Sequence, residues 1–444
     1  MNVAVMRTKA EQALSEAFDK VQDKLPGGPD VVRVRRAAVE RFAELGLPHR
    51  RIEAWKYTDL RNGMREALPP AVGDDTRLTI ADIIVAMGPF AGLEPWRVTL
   101  VNGVVRSELS SKGLSDGLTI KSLAAALSAG DGADAAALAS LDAHHDDATI
   151  ALNTAYMTDG AVVELAPGVR LDRPLLLIHV RAGTEGRFTA IRHRIDIGAG
   201  AEAAIVEAYV DLPGAGGEGQ INAATAVSVG DGAKVTHVKA TVDQGAIVHL
   251  GNWIVTLGAA SAYRGFQLTS GVGLARQQIF ATFAGEDASL DLSGAILARG
   301  SEHVDTTLVV DHAVPSCTSR ELFKAVLDGE ARGVFQGKIV VRQIAQKTDG
   351  KQMSQAMMLS PAAEFNSKPE LEIFADDVAC GHGATAAEID QDHLFYCRSR
   401  GIPEPQARLL LVEAFIGEAI EKLGHEALEE ALKSYARVWL LGHG

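Results

Sequence analysis

The chain has 444 residues, of which 47% are hydrophobic and 23% charged, and its formal net charge is −14. That length exceeds one ordinary compact core and points to several parts or an elongated repeat, while the apolar content excludes a disordered chain. The acidic balance excludes nucleic acid as the main partner, because a phosphate backbone calls for a basic surface. The three cysteines, Cys317, Cys380 and Cys397, cannot all pair within one chain and form no Cys-x-x-Cys, so a disulfide framework is not expected.

The opening Met1-Asn-Val-Ala-Val-Met-Arg-Thr-Lys-Ala-Glu-Gln12 lacks the apolar run and small-residue cleavage site of a secretory signal. The longest apolar runs, such as Pro174-Leu-Leu-Leu-Ile178, fall far short of the roughly 20 residues a membrane helix needs. A cytoplasmic chain without membrane contact is expected. The first stretch reads as helical: Asp30 is placed to cap a helix with Val31, Val34, Ala38, Phe42 and Leu45 on one face, ended by Gly46 and Pro48. In Arg50-Arg-Ile-Glu-Ala-Trp55-Lys-Tyr57-Thr-Asp-Leu60, the aromatic pair either pins a short helix to the body of the protein or forms a binding surface. A short strand leads into Asn102-Gly103, a hairpin signal. Helical stretches follow at 120–127 and 135–141, the second with Asp134 placed to cap it. His144 and His145, in a His-His-Asp-Asp segment, read as a solvated loop.

From about residue 160 the pattern changes to short β-type runs, among them Val162-Val-Glu-Leu165, Leu175-Leu-Leu-Ile-His-Val180, Ala204-Ile-Val-Glu-Ala-Tyr-Val210 and Ala224-Thr-Ala-Val-Ser-Val229. A phrase of small residues and a charge recurs before the runs, as in Gly198-Ala-Gly-Ala-Glu-Ala203, Gly230-Asp-Gly-Ala-Lys-Val235 and Ala284-Gly-Glu-Asp-Ala-Ser289. Spacing of about 30 residues lies in the solenoid range. A β-sandwich also fits. A parallel β-helix fits better, because the turns lack a hairpin signature and alanine and glycine dominate where coils would stack. After Gly401-Ile-Pro403 helical spacing returns, first through Ala407, Leu410, Leu411, Ala414, Phe415, Glu418 and Ala419 to Gly424, then through Leu428, Leu432, Tyr435 and Val438. The expectation is a mainly β protein: a mixed helical part over 1–155, a parallel β-helix core over 156–402 and a helical end over 403–444.

One stretch carries metal-type chemistry. In Cys380-Gly-His382-Gly, a strand would put the thiol and the imidazole on one face. Two donors do not complete a closed site, which wants about four. Nucleotide and hydrolase motifs are missing. Gly333-Val-Phe-Gln-Gly-Lys338 has the wrong spacing for a phosphate loop, with Ile339 where a hydroxyl is needed. Gly198-Ala-Gly200 starts a dinucleotide fingerprint without its third glycine, and neither Gly-x-Ser-x-Gly nor His-Glu-x-x-His occurs. Self-contained catalysis is not indicated.

The block Asp376-Asp-Val-Ala-Cys-Gly-His-Gly-Ala-Thr385, with Ile389-Asp-Gln-Asp-His-Leu-Phe-Tyr396 and Arg398-Ser-Arg-Gly-Ile402, resembles the signature of the SufB/SufD family of iron–sulfur cluster assembly subunits, on its SufD side. The likeness extends through His303-Val-Asp-Thr-Thr307, Ser319-Arg-Glu-Leu322, Gly333 to Val340, Pro369-Glu-Leu-Glu-Ile373 and, near the other end, Glu53-Ala-Trp-Lys-Tyr-Thr58. It therefore touches both ends and nearly the whole chain. Gly381 departs from the usual serine, and Cys397 stands where the family more often has an aliphatic residue, so Cys397 reads as packing.

The resemblance implies a right-handed parallel β-helix flanked by helical domains and a non-enzymatic scaffold role. It implies pairing with SufB through the end of the β-helix and binding of the ATPase SufC through the C-terminal helices. His382 would help hold iron or a nascent cluster opposite a SufB cysteine, with Cys380 either a second ligand or a buried neighbour and Cys317 in the core. No cofactor would be bound tightly by the lone chain, and homodimerisation through the surface meant for SufB is plausible. The rival classes are a β-helical carbohydrate-active enzyme, which needs carboxylates clustered along a groove, and a self-contained metal-binding protein.

Overall fold

The computed structural model describes residues 7–442 except 131, 142, 143 and 145. Its centre is a parallel β-solenoid of about eight turns. Each coil contributes a strand to each of two ladders, so most strands pair with the next but one in sequence. One ladder runs through Leu175–Arg181 and Glu202–Asp211 to Ser289–Ala298, Thr318–Leu327, Asp349–Met358 and Ala379–Ala387. The other runs through Ala161–Leu165, Phe188–Ile197 and Gly219–Val229 to His303–His312, Arg332–Val341 and Glu364–Ile373. Two long strands, Lys234–Leu257 and Ala262–Phe283, serve both ladders by bending at mid-length, with register shifts between Ser270 and Leu274.

The recurring small-residue phrase is the corner of the coil. One residue in each corner adopts a left-handed backbone: Gly200 (φ 67°), Gly232 (66°), Ala260 (53°), Asp287 (60°), Ser316 (62°) and Lys347 (65°). Corner amides then stack coil on coil, as where Gly232 N–H donates to the Ala259 carbonyl (2.8 Å) and Lys347 N–H to that of Asp377 (2.7 Å). In these six corners the residue after the left-handed one is small and buried: Ala201, Ala233, Ser261, Ala288, Cys317 and Thr348. Cys317 is thus a core residue that occupies an alanine-like slot. Cys317→Ala should shift stability by less than about 1.5 kcal/mol in urea unfolding, whereas Cys317→Leu should cost about 1–3 kcal/mol by overpacking. A large loss with alanine would contradict the corner assignment.

The two ends of the solenoid differ. At the first, Trp96–Val101 lies parallel on Leu175–Arg181 and Leu118–Ser122 lies antiparallel on Ala161–Leu165, so the edge is covered. The turn Asn102-Gly103 does form a hairpin, with φ positive at both residues (48° and 86°) as that turn requires. At the other end, Ala379–Ala387 has a single paired neighbour among the described residues, Asp349–Met358. That edge is open.

Helices clothe the sides. Lys9–Val21, Pro29–Leu45 and Ala148–Tyr156 pack around Phe18, Phe42 and Tyr156 against Phe188, Ala190 and Leu250 of the solenoid. Asp30 does not cap its helix: Gly28 is the cap, and Pro29 takes the first position, where its missing N–H costs nothing. Asp134 likewise lies inside the first turn of Gly132–Ala139. Trp55 is the pin, 4% exposed and stacked on the Arg276 guanidinium at 3.8 Å. His144 is not a solvated loop residue. Its ring lies on Phe280 with centroids 4.4 Å apart, and burial lowers its pKa. His145 falls outside the described residues.

Glu404–Ile420 and Glu426–Leu441 cover one sheet face, packing Val412, Ile416, Ile420, Leu428 and Trp439 on Phe266, Leu268, Leu297 and Val326. The buried stripe of the first helix is rotated from the expected one. Val412 and Ile416 face the sheet, while Leu410 is 47% exposed. Val438 is also outside, at 62%. A helix apolar on most sides has no periodicity that fixes which face turns inward. Cys397, on Gln391–Ser399, is half-buried against the same cluster, as a packing residue should be. No helix among the described residues is long and apolar enough to cross a membrane.

Candidate functional site at the open end of the solenoid

The inward face of the last coil follows from register. In Asp349–Met358 the buried residues alternate as Gly350, Gln352, Ser354 and Ala356. Cys380 pairs with Gly350 and His382 with Gln352, so both face inward, as a Cys-x-His on one strand must. They differ in surroundings. Cys380 is half-buried beside Ile339, Val341, Ala345 and Ala375, and burial is the main cause that raises its thiol pKa, with the Asp349 and Glu321 charges adding to it. A thiol raised in this way is protonated near neutral pH and is a poor soft ligand until a cation displaces the proton. His382 is exposed, because no coil lies above it. Gly383 lets the strand pass over Met353, whose Cε would stand 2.7 Å from an added Cβ.

Beneath them the mouth opens into a cavity of about 780 Å³ lined by residues that include Glu321, Gln352, Cys380, His382 and Lys422. Leu292, Glu321, Gln352 and His382 form one in-register column across four coils. Glu321 is 2% exposed, and burial pushes its carboxyl up to about 8, which the Ser319 hydroxyl only partly offsets. Arg320 and Lys351 also line this cavity, and both turn to Asp349, at 2.6 and 3.6 Å. Among the described residues, no three His, Cys, Asp or Glu side chains converge as a metal set.

A second group of buried charges fills the covered half of the solenoid. Glu207 accepts hydrogen bonds from Tyr209 (3.0 Å) and Trp253 (2.8 Å) and pairs with His237 (3.0 Å), and Lys239 stands beside it in register. Next to them, Ala161 N–H donates to Nδ1 of His193, whose Nε2 meets Nε2 of His179 at 3.0 Å. Burial pushes His193 down to about 4, so it is neutral, with its proton on Nε2. None of these residues carried a motif in the sequence, because only the stacking of separate strands brings them together.

Fold and mouth together define a capped parallel β-solenoid with one open end, whose last strand carries a thiol and an imidazole. The chain belongs to the SufBD family of SUF-system iron–sulfur cluster assembly proteins: the SUF system FeS cluster assembly, SufBD core domain matches residues 179–415, and the SufBD protein N-terminal region matches residues 8–177. An iron–sulfur cluster assembly SufBD family protein of Synechocystis is 30% identical over 441 residues, which cover 96% of this chain and 94% of that one. SufD of Escherichia coli is 29% identical over 396 residues, covering 88% and 89%, and SufD of Bacillus subtilis is 26% identical over 295 residues, covering 64% and 65%. The chain is a SufD homologue.

Proposed function

We propose that this chain is a non-catalytic scaffold subunit of cytoplasmic iron–sulfur cluster assembly, which pairs with SufB through the open end of its solenoid and binds the ATPase SufC through its C-terminal helices. His382 holds iron or the nascent cluster, as cargo, opposite ligands that SufB supplies, and Cys380 is the weaker second donor. The observation that carries this reading is the orientation of both donors: they face inward on the last coil, at an unpaired strand edge, and among the described residues no third donor joins them. An imidazole suits iron, and a thiolate from another chain would supply the soft ligand. Adding a strand of a related solenoid to the open edge would pair its backbone groups and close the mouth over the cargo. A second copy of this chain competes for that edge when SufB is lacking.

The SufC reading is supported by exposed apolar side chains on the helices that follow the solenoid: Phe395 is 72% exposed, Tyr396 58% and Leu410 47%. Such a patch is the usual anchor of a protein interface. Truncation of the helices is a poor test, since they cover Phe266, Leu268 and Val326. The double variant Phe395→Ala, Tyr396→Ala leaves that cover in place. It should weaken SufC binding at least tenfold, each lost anchor being worth about 1–2 kcal/mol or more, with SufB pairing unchanged. Undiminished SufC capture would remove Phe395 and Tyr396 from the docking surface. The His382 reading is tested by His382→Ala in the reconstituted complex.

A further inference from the structure

The other strand of the last coil carries a different surface. Glu364–Ile373 pairs in register on Arg332–Val341 and, among the described residues, on no other strand, so the solenoid ends in a second unpaired edge. Strand alternation puts Phe365, Leu371 and Ile373 above Gly333, Ile339 and Val341, in the inward row of the core. Ile339 and Val341 are fully buried one coil down, whereas Ile373 is 41% exposed. The same row is core in one coil and surface in the next. The corner beside it adds Phe374, 62% exposed, and, one coil down, Ile344 at 66%. The strand with Cys380 and His382 turns only Ala384 and Ala386 inward besides them. The open end thus has an apolar half and a donor half.

The edge also limits how a strand is added to it. Glu364 N–H donates to the Ala331 carbonyl and Phe374 N–H to that of Val341, both at 2.9 Å, so the even-numbered amides point back into the solenoid. The odd-numbered positions face the open side, and one of them is Pro369, which has no N–H. Pro369 breaks any added ladder in two, and the stretch after it, Leu371–Ile373, adjoins the apolar corner. A second copy would bring its own Pro369 to the junction and leave two gaps in place of one, so the edge suits a different chain. An uncovered core row beside unpaired backbone is matched by a strand with an apolar inward row of its own. We infer that Leu371, Ile373 and Phe374 are the apolar anchor of the pairing with SufB. An edge strand of SufB adds along Leu371–Ile373, its inward side chains cover that row, and the hydrophobic core runs on from one chain into the other. This rests on the function proposed above and assigns the affinity of the pairing to the half of the end away from His382 and Cys380.

The double variant Ile373→Thr, Phe374→Ser removes the anchor while threonine keeps the strand. Titrated into SufB by isothermal calorimetry, the full-length variant should bind at least tenfold more weakly than the wild type. Ile373→Val, Phe374→Leu stays apolar and should bind as the wild type does. Both side chains are exposed in the lone chain, so its thermal midpoint should not fall, and SufC capture should be unchanged. Phe374→Ser alone, at the more exposed of the two positions, gives the readout should the double variant melt early. The anchor is overturned if the Thr/Ser variant pairs with SufB as the wild type does, or if the apolar variant loses pairing to the same extent. Self-pairing of the wild-type chain as tight as its pairing with SufB overturns the choice of partner. A wild-type chain that does not bind SufB at all overturns the proposed function and the anchor with it, an outcome distinct from the other two.

Discussion

Replacing His382 by alanine should cut cluster formation on the complex with SufB and SufC at least tenfold while leaving the chain folded and both partners bound. Stability should be nearly untouched, because the imidazole is exposed on the last coil, and surface substitutions of this kind usually stay within about 0.5 kcal/mol. Pairing should survive as well, since an added strand binds through the backbone of Ala379–Ala387, which the substitution does not alter. What is lost is one nitrogen donor from a site that has few. Cys380→Ala should cost less, because its thiol is half-buried and held protonated by its surroundings. A cluster yield unchanged by His382→Ala would remove the imidazole from the mechanism.

Asp305→Ala should be among the most destabilising single changes in the chain, at about 3–5 kcal/mol. Asp305 and Arg276 form an ion pair in which both side chains are 0% exposed. The same aspartate accepts from the Thr58 and Thr307 hydroxyls, and the arginine also donates to the Ala54 carbonyl at 2.7 Å while its guanidinium stacks on Trp55. Removing the carboxylate strands a buried guanidinium and releases the 53–58 segment from the solenoid. Trp55 fluorescence in urea reads both effects. The double variant Arg276→Met, Asp305→Leu should regain most of the loss, because well-packed apolar groups often replace a buried pair at no net cost. By contrast, breaking Lys347–Asp377, at 68% and 63% exposure, should change stability by less than about 1 kcal/mol. An Asp305→Ala loss below about 1 kcal/mol would mean that the pair does not anchor the N-terminal segment.

The solenoid was legible because its corners repeat. Each coil spends a left-handed residue and a small buried one, so Gly200-Ala201, Gly232-Ala233 and Asp287-Ala288 leave a trace at a spacing of about 30 residues. The same period relates Glu321, Gln352 and His382, but a column of unlike residues has no motif, and only register makes it visible. Helix faces were less legible. Asp30 looked like a cap until Pro29 took the position before it, and Leu410 looked buried on a helix that is apolar on most sides. Cys380 and His382 were readable as a same-face pair because strand alternation is strict. The family resemblance implied that His382 lies at the end of the β-helix; that the strand edge there is unpaired took the register to show.

The split site is tested most directly by iron-edge X-ray absorption on the iron-loaded complex with SufB and SufC, before and after His382→Ala. An imidazole nitrogen shell should be present at the iron in the wild-type complex and lost in the variant, and the lone chain should retain little tightly bound iron. An unchanged shell in the variant, or tight iron binding by the lone chain through ligands of its own, would contradict a site shared between two subunits.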